Sequence, residues 1–218
     1  MKARHSRKYF GRGKGLVAYS LLCNHIPING YLIDSNDYEG HHGFNIWYRN
    51  TSVVKPVSIT GDMHSVNKAI FAILHWFGLR FEPHFTDLKR QLQELYSIRE
   101  PSVYKKCLIQ PAGWIDLELI FRDKSDLDRI VATLSLKEMT QGTLIRKLCI
   151  YTATNPTRQA VFEYDRLIRS IYTLKYLRDP QMERNIRRSQ NRIESYHQLR
   201  AAVVKVGGKK KRYGNGDQ

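Results

Sequence analysis

Apolar residues in the first part of the chain follow the short runs and alternation of β-strands. The stretch "KGLVAYSLLCNHIPINGYLI" predicts two strands, at residues 15–23 and 30–33, joined by the turn "HIPING". A run of β-branched residues predicts a third strand at residues 53–60, and "LRFEPHF" predicts a short fourth strand. Between the second and third strands, "NDYEGHHGFNIWYRN" has aromatic residues spaced to face inward from a short helix.

The period of the apolar residues changes from strand-like to helix-like at Asp62. Ile70, Ile73, Leu74 and Phe77 follow it at helical spacing, so a helix is expected to begin with "DMHS". The Asp62 carboxylate then has two interpretations. It caps the helix by accepting a backbone N–H, which spacing alone favours, or it is a metal ligand at the carboxyl end of a strand, where open α/β sheets bind their ligands.

A helical pattern takes over from residue 87. Successive helices are predicted in "TDLKRQLQELYSI", "WIDLELIFRDKSDLDRIVATLSLKE", "TQGTLIRKLCIYT" and "PTRQAVFEYDRLIRSIYTLKYLRD". A last helix, rich in arginine, is predicted at residues 181–206. We therefore expect a mixed α/β unit built from residues 1–86 and 181–206, a helical insertion at residues 87–180, and a disordered basic tail at residues 207–218.

The charge of the chain predicts a polyanion as its partner. The 218 residues include 36 Lys and Arg against 20 Asp and Glu, a formal net charge of +16. This excess favours DNA or RNA without implying sequence specificity, and a ribosomal protein has the same signature. The sequence shows no apolar run long enough to span a membrane and no signal-peptide pattern. Its three scattered cysteines argue against a disulfide framework. We expect a cytoplasmic protein, associated with the nucleoid when bound to DNA.

Glu194 is the second acid that stands out, because its predicted helix is otherwise strongly basic. His197 follows three residues later, which places the two side chains on one helix face. One interpretation is a solvated Glu–Arg ion pair within the helix. The other is an inward-facing carboxylate that holds magnesium while the arginines follow a phosphate backbone.

Two further features are weaker as sites. His41 and His42 are adjacent but have no second ligand pair near them in the sequence, so core or surface histidines are the preferred interpretation. The segment "GRGKG" lacks the spacing of a P-loop. Its Arg12 and Lys14 fit non-specific DNA contact better.

Five stretches of the chain, taken in order, resemble the carboxyl-terminal catalytic region of the Tn-three family transposases. These are the large enzymes of replicative, cointegrate-forming transposons. The stretches are "HSRKYFGRGKGLVAYSLLCNH", "YEGHHGFNIWYRNTS", "ITGDMHSVNKAIFAILHWFGLRFEPHFTDLK", "EYDRLIRSIYTLKYL" and "NRIESYHQLRAAV". Their order over nearly the whole chain makes the resemblance specific.

The resemblance implies an α/β fold of the RNase H-like type, a mixed sheet with a helical insertion, and an Asp-Asp-Glu active site that uses two Mg²⁺ ions. The family's second catalytic aspartate falls on Asp62 and its glutamate on Glu194, and His197 is expected to orient a group or contact a phosphate. The implied reaction is hydrolysis at the transposon 3′ ends, followed by attack of the freed 3′-OH on target DNA. DNA-backbone contacts are expected from Arg12, Lys14, Arg187, Arg188 and Arg192.

The departures from the family pattern affect the expected activity. The family's first catalytic aspartate lies on a strand upstream of "RKYFGRGKG", and no acid of this chain matches it, because Asp34 and Asp37 belong to segments matched elsewhere. The fold is therefore expected to lack its first catalytic strand, a central one, which leaves an unpaired sheet edge. Ile193 also replaces a glycine of the family motif.

We therefore expect a transposase fragment that is inactive alone and that forms a homodimer or associates with a full-length transposase. The alternative is a non-enzymatic, basic DNA-binding remnant that interferes with a full-length transposase.

Overall fold

The computed structural model describes residues 4–5, 14–34, 36–61 and 66–208. Strands β2 (Lys14–Cys23) and β3 (Ile26–Asp34) form an antiparallel hairpin, and the short strand β1 (Arg4–His5) pairs with the start of β2. Asn24 and His25 make the turn with positive φ angles of 48° and 71°. The hairpin was predicted, but its turn comes earlier and its second strand is longer than the sequence pattern indicated.

Two further pairs of strands are parallel and very short. β4 (Ser58–Ile59) pairs with β5 (Arg80–Phe81), and β6 (Tyr96–Ser97) pairs with β7 (Gly113–Trp114). In the described part of the chain, no ladder joins the β2–β3 hairpin to β4. The mixed α/β class is therefore confirmed, with small separate sheets.

The prediction of a strand at residues 53–60 is wrong over most of that range, since only Ser58–Ile59 pairs with another strand. Val53 is 96% exposed and Val57 is 65% exposed, so the β-branched run is not buried by a neighbouring strand. Instead, the Asn50 side chain donates to the carbonyl oxygen of Val54 at 2.7 Å and holds the segment in a turn.

Eight helices carry most of the described structure. Two 3₁₀ turns, at Glu39–His41 and Pro101–Tyr104, accompany them. The helices are α1 (Gly43–Tyr48), α2 (Ile70–Trp76), α3 (Leu88–Gln93), α4 (Leu117–Arg122), α5 (Lys124–Ser135), α6 (Gln141–Ile150), α7 (Pro156–Arg178) and α8 (Pro180–Gly208). None of the described helices is long and apolar enough to cross a membrane.

Side-chain caps fix where five of these helices begin. At the starts of α3, α4, α6, α7 and α8, the backbone N–H three residues later is accepted by Asp87, Asp116, Thr140, Asn155 and Asp179. Pro156 occupies the first turn of α7, where the missing N–H costs nothing. These local signals explain why the helix starts after residue 87 were predictable. The helix predicted in "TDLKRQLQELYSI" nevertheless ends at Gln93, with Tyr96–Ser97 in β6, and the next predicted helix is divided into α4 and α5.

The core lies around α2, whose residues 70–74 are all buried. Helix α7 packs across α2 and α4, and Phe71 of α2 meets Phe81 of β5 and Tyr172 of α7. Residues of the strand-rich part and of the predicted insertion therefore share one hydrophobic cluster. This packing holds α2 between β5 and α7.

Candidate active site

Helix α8 contacts Gly61, the residue that precedes Asp62, one turn before Glu194. The Gln190 side chain of α8 donates to the carbonyl oxygen of Gly61 at 3.4 Å. Glu194 is four residues further along the same helix, which is about one turn and roughly 6 Å of rise on the same face. Glu194 therefore lies on the helix that contacts Gly61, and Asp62 itself lies outside the described residues.

The Gly61 carbonyl oxygen is held from a second side. The backbone N–H of His84, just after β5, donates to it at 3.1 Å. The Nε2 atom of His84 and the Oγ1 atom of Thr60 are buried and have no hydrogen-bond partner among the described residues. Burial lowers the pKa of His84, and the positive charge of Arg187 lowers it further.

The Glu194 side chain is exposed and is contacted by Gln198, whose Nε2 lies 3.5 Å from Oε1. Within the described ranges, no ion pair joins Glu194 to an arginine. The intrahelical ion pair that the sequence allowed is therefore not formed there. His197 is exposed as well, with its ring 6.0 Å from that of Tyr196.

The N–H groups at the start of α2, which Asp62 was considered to cap, are accepted by another residue. Helix α2 begins at Ile70 rather than at "DMHS", and its N-cap is Ala69, which makes no side-chain cap. The backbone N–H groups of Phe71 and Ala72 instead donate to the buried carboxylate of Asp165 on α7. The sequence analysis did not single out Asp165, because nothing local signals a contact across more than ninety residues.

The predicted DNA-contacting cations have different surroundings. Arg192 donates to the side chain of Asn24 in the hairpin turn at 3.2 Å, and Arg187 pairs with Glu183 at 3.0 Å. Arg188 is exposed and makes no hydrogen bond or ion pair with the described residues. Arg12 and the side chain of Lys14 lie outside the described part of the chain.

A groove of about 610 Å³ separates the hairpin from β4 and is bordered by α8. Arg192 and Ile193 of α8 line it beside Thr60 and the hairpin turn. Near this groove, as elsewhere in residues 4–5, 14–34, 36–61 and 66–208, no three His, Cys, Asp or Glu side chains cluster as a metal site. Asp62 is outside these ranges.

Comparison with known proteins identifies the family. The whole chain, residues 1–218, matches the family model for the Tn3 transposase DDE domain. The chain is 24% identical to the transposase for transposon gamma-delta of Escherichia coli (strain K12), over 98% of the chain and 21% of that protein. It is also 24% identical to the transposase for transposon Tn4556 of Streptomyces fradiae, over 98% of the chain and 24% of that protein.

A third relative, the transposase for transposon Tn1546 of Enterococcus faecium, is 23% identical over 89% of the chain and 20% of its own length. The chain thus spans about a fifth to a quarter of the length of these curated relatives. No solved structure matches it. The family match over its full length shows that the chain belongs to the Tn3 transposase DDE domain family.

Proposed function

We propose that the chain is a fragment of the catalytic domain of a DNA transposase, and that the complete domain cleaves transposon 3′ ends and transfers them to target DNA. In the first step, water attacks a phosphodiester and the P–O bond breaks to leave a 3′-OH. In the second step, that oxygen attacks a target phosphodiester and displaces a target 3′ oxygen. Family membership supports this class of reaction, and the contact of Gln190 with Gly61 supports the residues assigned to it.

Asp62 and Glu194 are the residues that we assign to hold Mg²⁺. Carboxylate oxygens are the ligands that this ion prefers, and Glu194 is exposed and has no arginine partner among the described residues, so its oxygens are accessible. A bound pair of such ions activates the attacking oxygen and stabilises the leaving one. Asp62 and Glu194 would hold the ions in a fixed position relative to the scissile phosphate. Holding reacting groups in the right geometry is a large source of rate acceleration.

His197 and the arginines of α8 are assigned to the DNA. His197 lies three residues beyond Glu194 on the same face of the helix, within reach of a phosphate held beside that carboxylate. Arg188 is exposed and has no partner in the described part of the chain, which suits a phosphate contact. Arg187 contacts Glu183, and Arg192 contacts Asn24. Each arginine would bind a DNA phosphate in place of that partner or in addition to it.

A third carboxylate is needed to complete the site, and no acid of the 218 residues matches it by resemblance. We infer that the groove between the hairpin and β4 is where the strand bearing that acid would lie. The groove supports this because β2 and β4 line it from opposite sides and are not paired with each other. Without the third acid, closely spaced dications lack charge compensation, so the isolated chain is expected not to cleave DNA.

The test is a nicking assay on duplex DNA that carries the transposon ends, with the purified chain and Mg²⁺. We expect binding that weakens with salt and no nicks. Nicking that disappears in Asp62→Ala would contradict the proposed inactivity while supporting Asp62 as a ligand. Nicking that persists in both Asp62→Ala and Glu194→Gln would overturn the residue assignment as well.

The alternative function is DNA binding without catalysis. Arg188, which is exposed and has no partner among the described residues, favours it as much as it favours the transposase, since both need phosphate contacts. Binding of a divalent ion by Asp62 and Glu194 distinguishes the transposase function from DNA binding alone, because DNA binding alone does not require that ion.

A further inference from the structure

Another cavity, of about 320 Å³, lies between the 3₁₀ turn at Glu39–His41, the residues just before α2, and helices α6 and α7. It shares no lining residue with the groove beside α8. Part of its wall is apolar, and two cationic residues, Lys68 and Arg158, also line it. Among the described residues, none of those that line it is Asp or Glu. The cavity therefore favours an anion that also has an apolar part.

The two cationic side chains of the cavity have no acidic partner. Neither Lys68 nor Arg158 forms an ion pair with the residues that the structure describes, and Lys68 is exposed. Arg158 donates through Nη1 to the carbonyl oxygen of Tyr151 at 3.2 Å, while its Nε is buried without a hydrogen-bond partner in the described part of the chain. A guanidinium has several N–H donors, so most of this donor capacity is unused. Phosphate oxygens are acceptors that arginine and lysine bind well.

Aromatic side chains from two elements form another part of the wall. The rings of Tyr38 and His41 meet edge to face with their centroids 5.0 Å apart. The guanidinium carbon of Arg158 lies 5.4 Å from the ring centroid of Phe162 on α7. Burial lowers the pKa of His41, so its ring is uncharged at neutral pH. Aromatic rings and guanidinium planes are the surfaces on which proteins stack unpaired bases.

The size of the cavity distinguishes a bare ion from a larger ligand. Pockets that bind small molecules have volumes of about 300–1,000 Å³, and this cavity lies at the lower end of that range. An inorganic phosphate ion would leave the apolar wall, to which Ile145 and Leu148 contribute, without a contact. A nucleotide has a charged phosphate and a flat base, and it therefore matches both parts of the wall.

We propose that this cavity binds one nucleotide, with its phosphate at Lys68 and Arg158 and its base against the aromatic side chains. The nucleotide is either free or an unpaired nucleotide of DNA that has left the stack of bases, as in enzymes that bind a base in a pocket. The DNA source rests on the proposed function, whereas binding of a free nucleotide does not depend on it.

The experiment follows the thiol of Cys149, which is free, exposed and part of the cavity lining. In the full chain with Cys23→Ser and Cys107→Ser, the rate of its reaction with N-ethylmaleimide is measured. The added probes are deoxyadenosine monophosphate, deoxyadenosine and inorganic phosphate, each over the same range of concentrations. Cys107 is exposed outside the cavity, and it is the control thiol in protein with Cys23→Ser and Cys149→Ser.

We expect deoxyadenosine monophosphate to slow the reaction of Cys149 but not that of Cys107. Lys68→Gln and Arg158→Gln should each require about tenfold more nucleotide for the same protection, because each loses a charged hydrogen-bond donor. Lys147→Gln is the matched control, since Lys147 is exposed on α6 outside the cavity, and it should behave like the parent protein. Because Lys68 is exposed, its variant tests the site even where Arg158→Gln lowers the unfolding temperature.

Failure of deoxyadenosine monophosphate to protect Cys149 would overturn the site, and so would an equal effect of Lys147→Gln. Equal protection by inorganic phosphate or by deoxyadenosine would overturn the nucleotide as the ligand, since one part of it would then be sufficient.

Two DNA duplexes distinguish the sources of the nucleotide, one fully paired and one with a single unpaired nucleotide. Stronger protection by the second duplex supports DNA as the source, and equal protection by both overturns that source and leaves the free nucleotide as the ligand. No residue of the cavity is assigned to Mg²⁺, so loss of the metal site would leave these results unchanged and the two proposals fail separately.

Discussion

At the residue scale, four histidines lie where the structure disfavours their charged form. Burial lowers the pKa of His41, His42, His75 and His84 below the ordinary 6.5. Neighbouring cations add to the effect, with Lys175 beside His75 and Arg187 beside His84. For His42, Asp37 opposes it through an ion pair of 3.3 Å.

These shifts predict how stability depends on pH. Because the folded-state pKa of each histidine lies below the unfolded value, the unfolded chain binds protons more readily, and protonation favours unfolding. The histidine contribution therefore lowers the free energy of unfolding as the pH falls below about 7, until the folded-state pKa values are passed. NMR titration of the imidazole signals checks the cause: midpoints below 6.5 are expected for all four, and midpoints at or above that value would contradict it.

At the scale of elements, one buried amide joins α6 to α1. The side chain of Gln141 is fully buried, its Oε1 accepts the N–H of Phe44 at 2.8 Å, and its Nε2 donates to the carbonyl oxygen of Gly40 at 2.9 Å. The contact links residues about a hundred positions apart. It also orders the 3₁₀ turn at Glu39–His41, which packs beside α6.

Gln141→Leu is expected to lower the free energy of unfolding by roughly 1–3 kcal/mol, because the buried N–H of Phe44 loses its acceptor and the Gly40 carbonyl oxygen keeps only its bond from Asn67. Urea denaturation measures this change. Gln93→Leu is the control, since Gln93 is exposed at the end of α3, and a change below about 0.5 kcal/mol is expected there. Equal effects of the two variants would show that the Gln141 hydrogen bonds contribute nothing specific.

A second prediction at this scale concerns the arginines of α8. Arg188 has no partner in the described residues and is assigned to phosphate, whereas Arg129 on α5 is paired with Asp126 at 3.1 Å. Arg188→Gln should reduce the slope of log affinity for DNA against log salt by about one, the share of a single phosphate contact. Arg129→Gln should leave the slope unchanged, and the assignment is wrong if both variants behave alike in a fluorescence-anisotropy titration.

At the scale of the whole molecule, the features that could be predicted from the sequence are those with local causes. The starts of α3, α4, α6 and α7 follow from caps three residues before the bonded N–H. The hairpin follows from alternating residues around a turn. The sequence order of the five family stretches was sufficient to indicate the family, which the full-length match confirms.

Long-range contacts could not be predicted from the pattern of residues along the chain. The run at residues 53–60 has strand-forming composition but finds a partner only at Ser58–Ile59, because pairing depends on which strand lies beside it. The start of α2 is displaced to Ile70, since its cap is supplied by Asp165 from α7 rather than by a residue just before the helix. For the same reason, neither the approach of Gln190 to Gly61 nor the contact of Asp165 with the start of α2 could be predicted from spacing.

Iron-directed cleavage of the protein itself tests whether Asp62 and Glu194 hold the same metal ion. Fe²⁺ replaces Mg²⁺ in the purified chain, and hydroxyl radicals formed with ascorbate and peroxide cut the backbone beside the bound ion. If Asp62 and Glu194 share a metal, cuts are expected near residue 62 and near residue 194, both suppressed by excess Mg²⁺ and both lost in Asp62→Asn and in Glu194→Gln. Glu183→Gln, on the same helix, should keep them. Cuts that survive either substitution, or that occur near only one of the two residues, would contradict the claim.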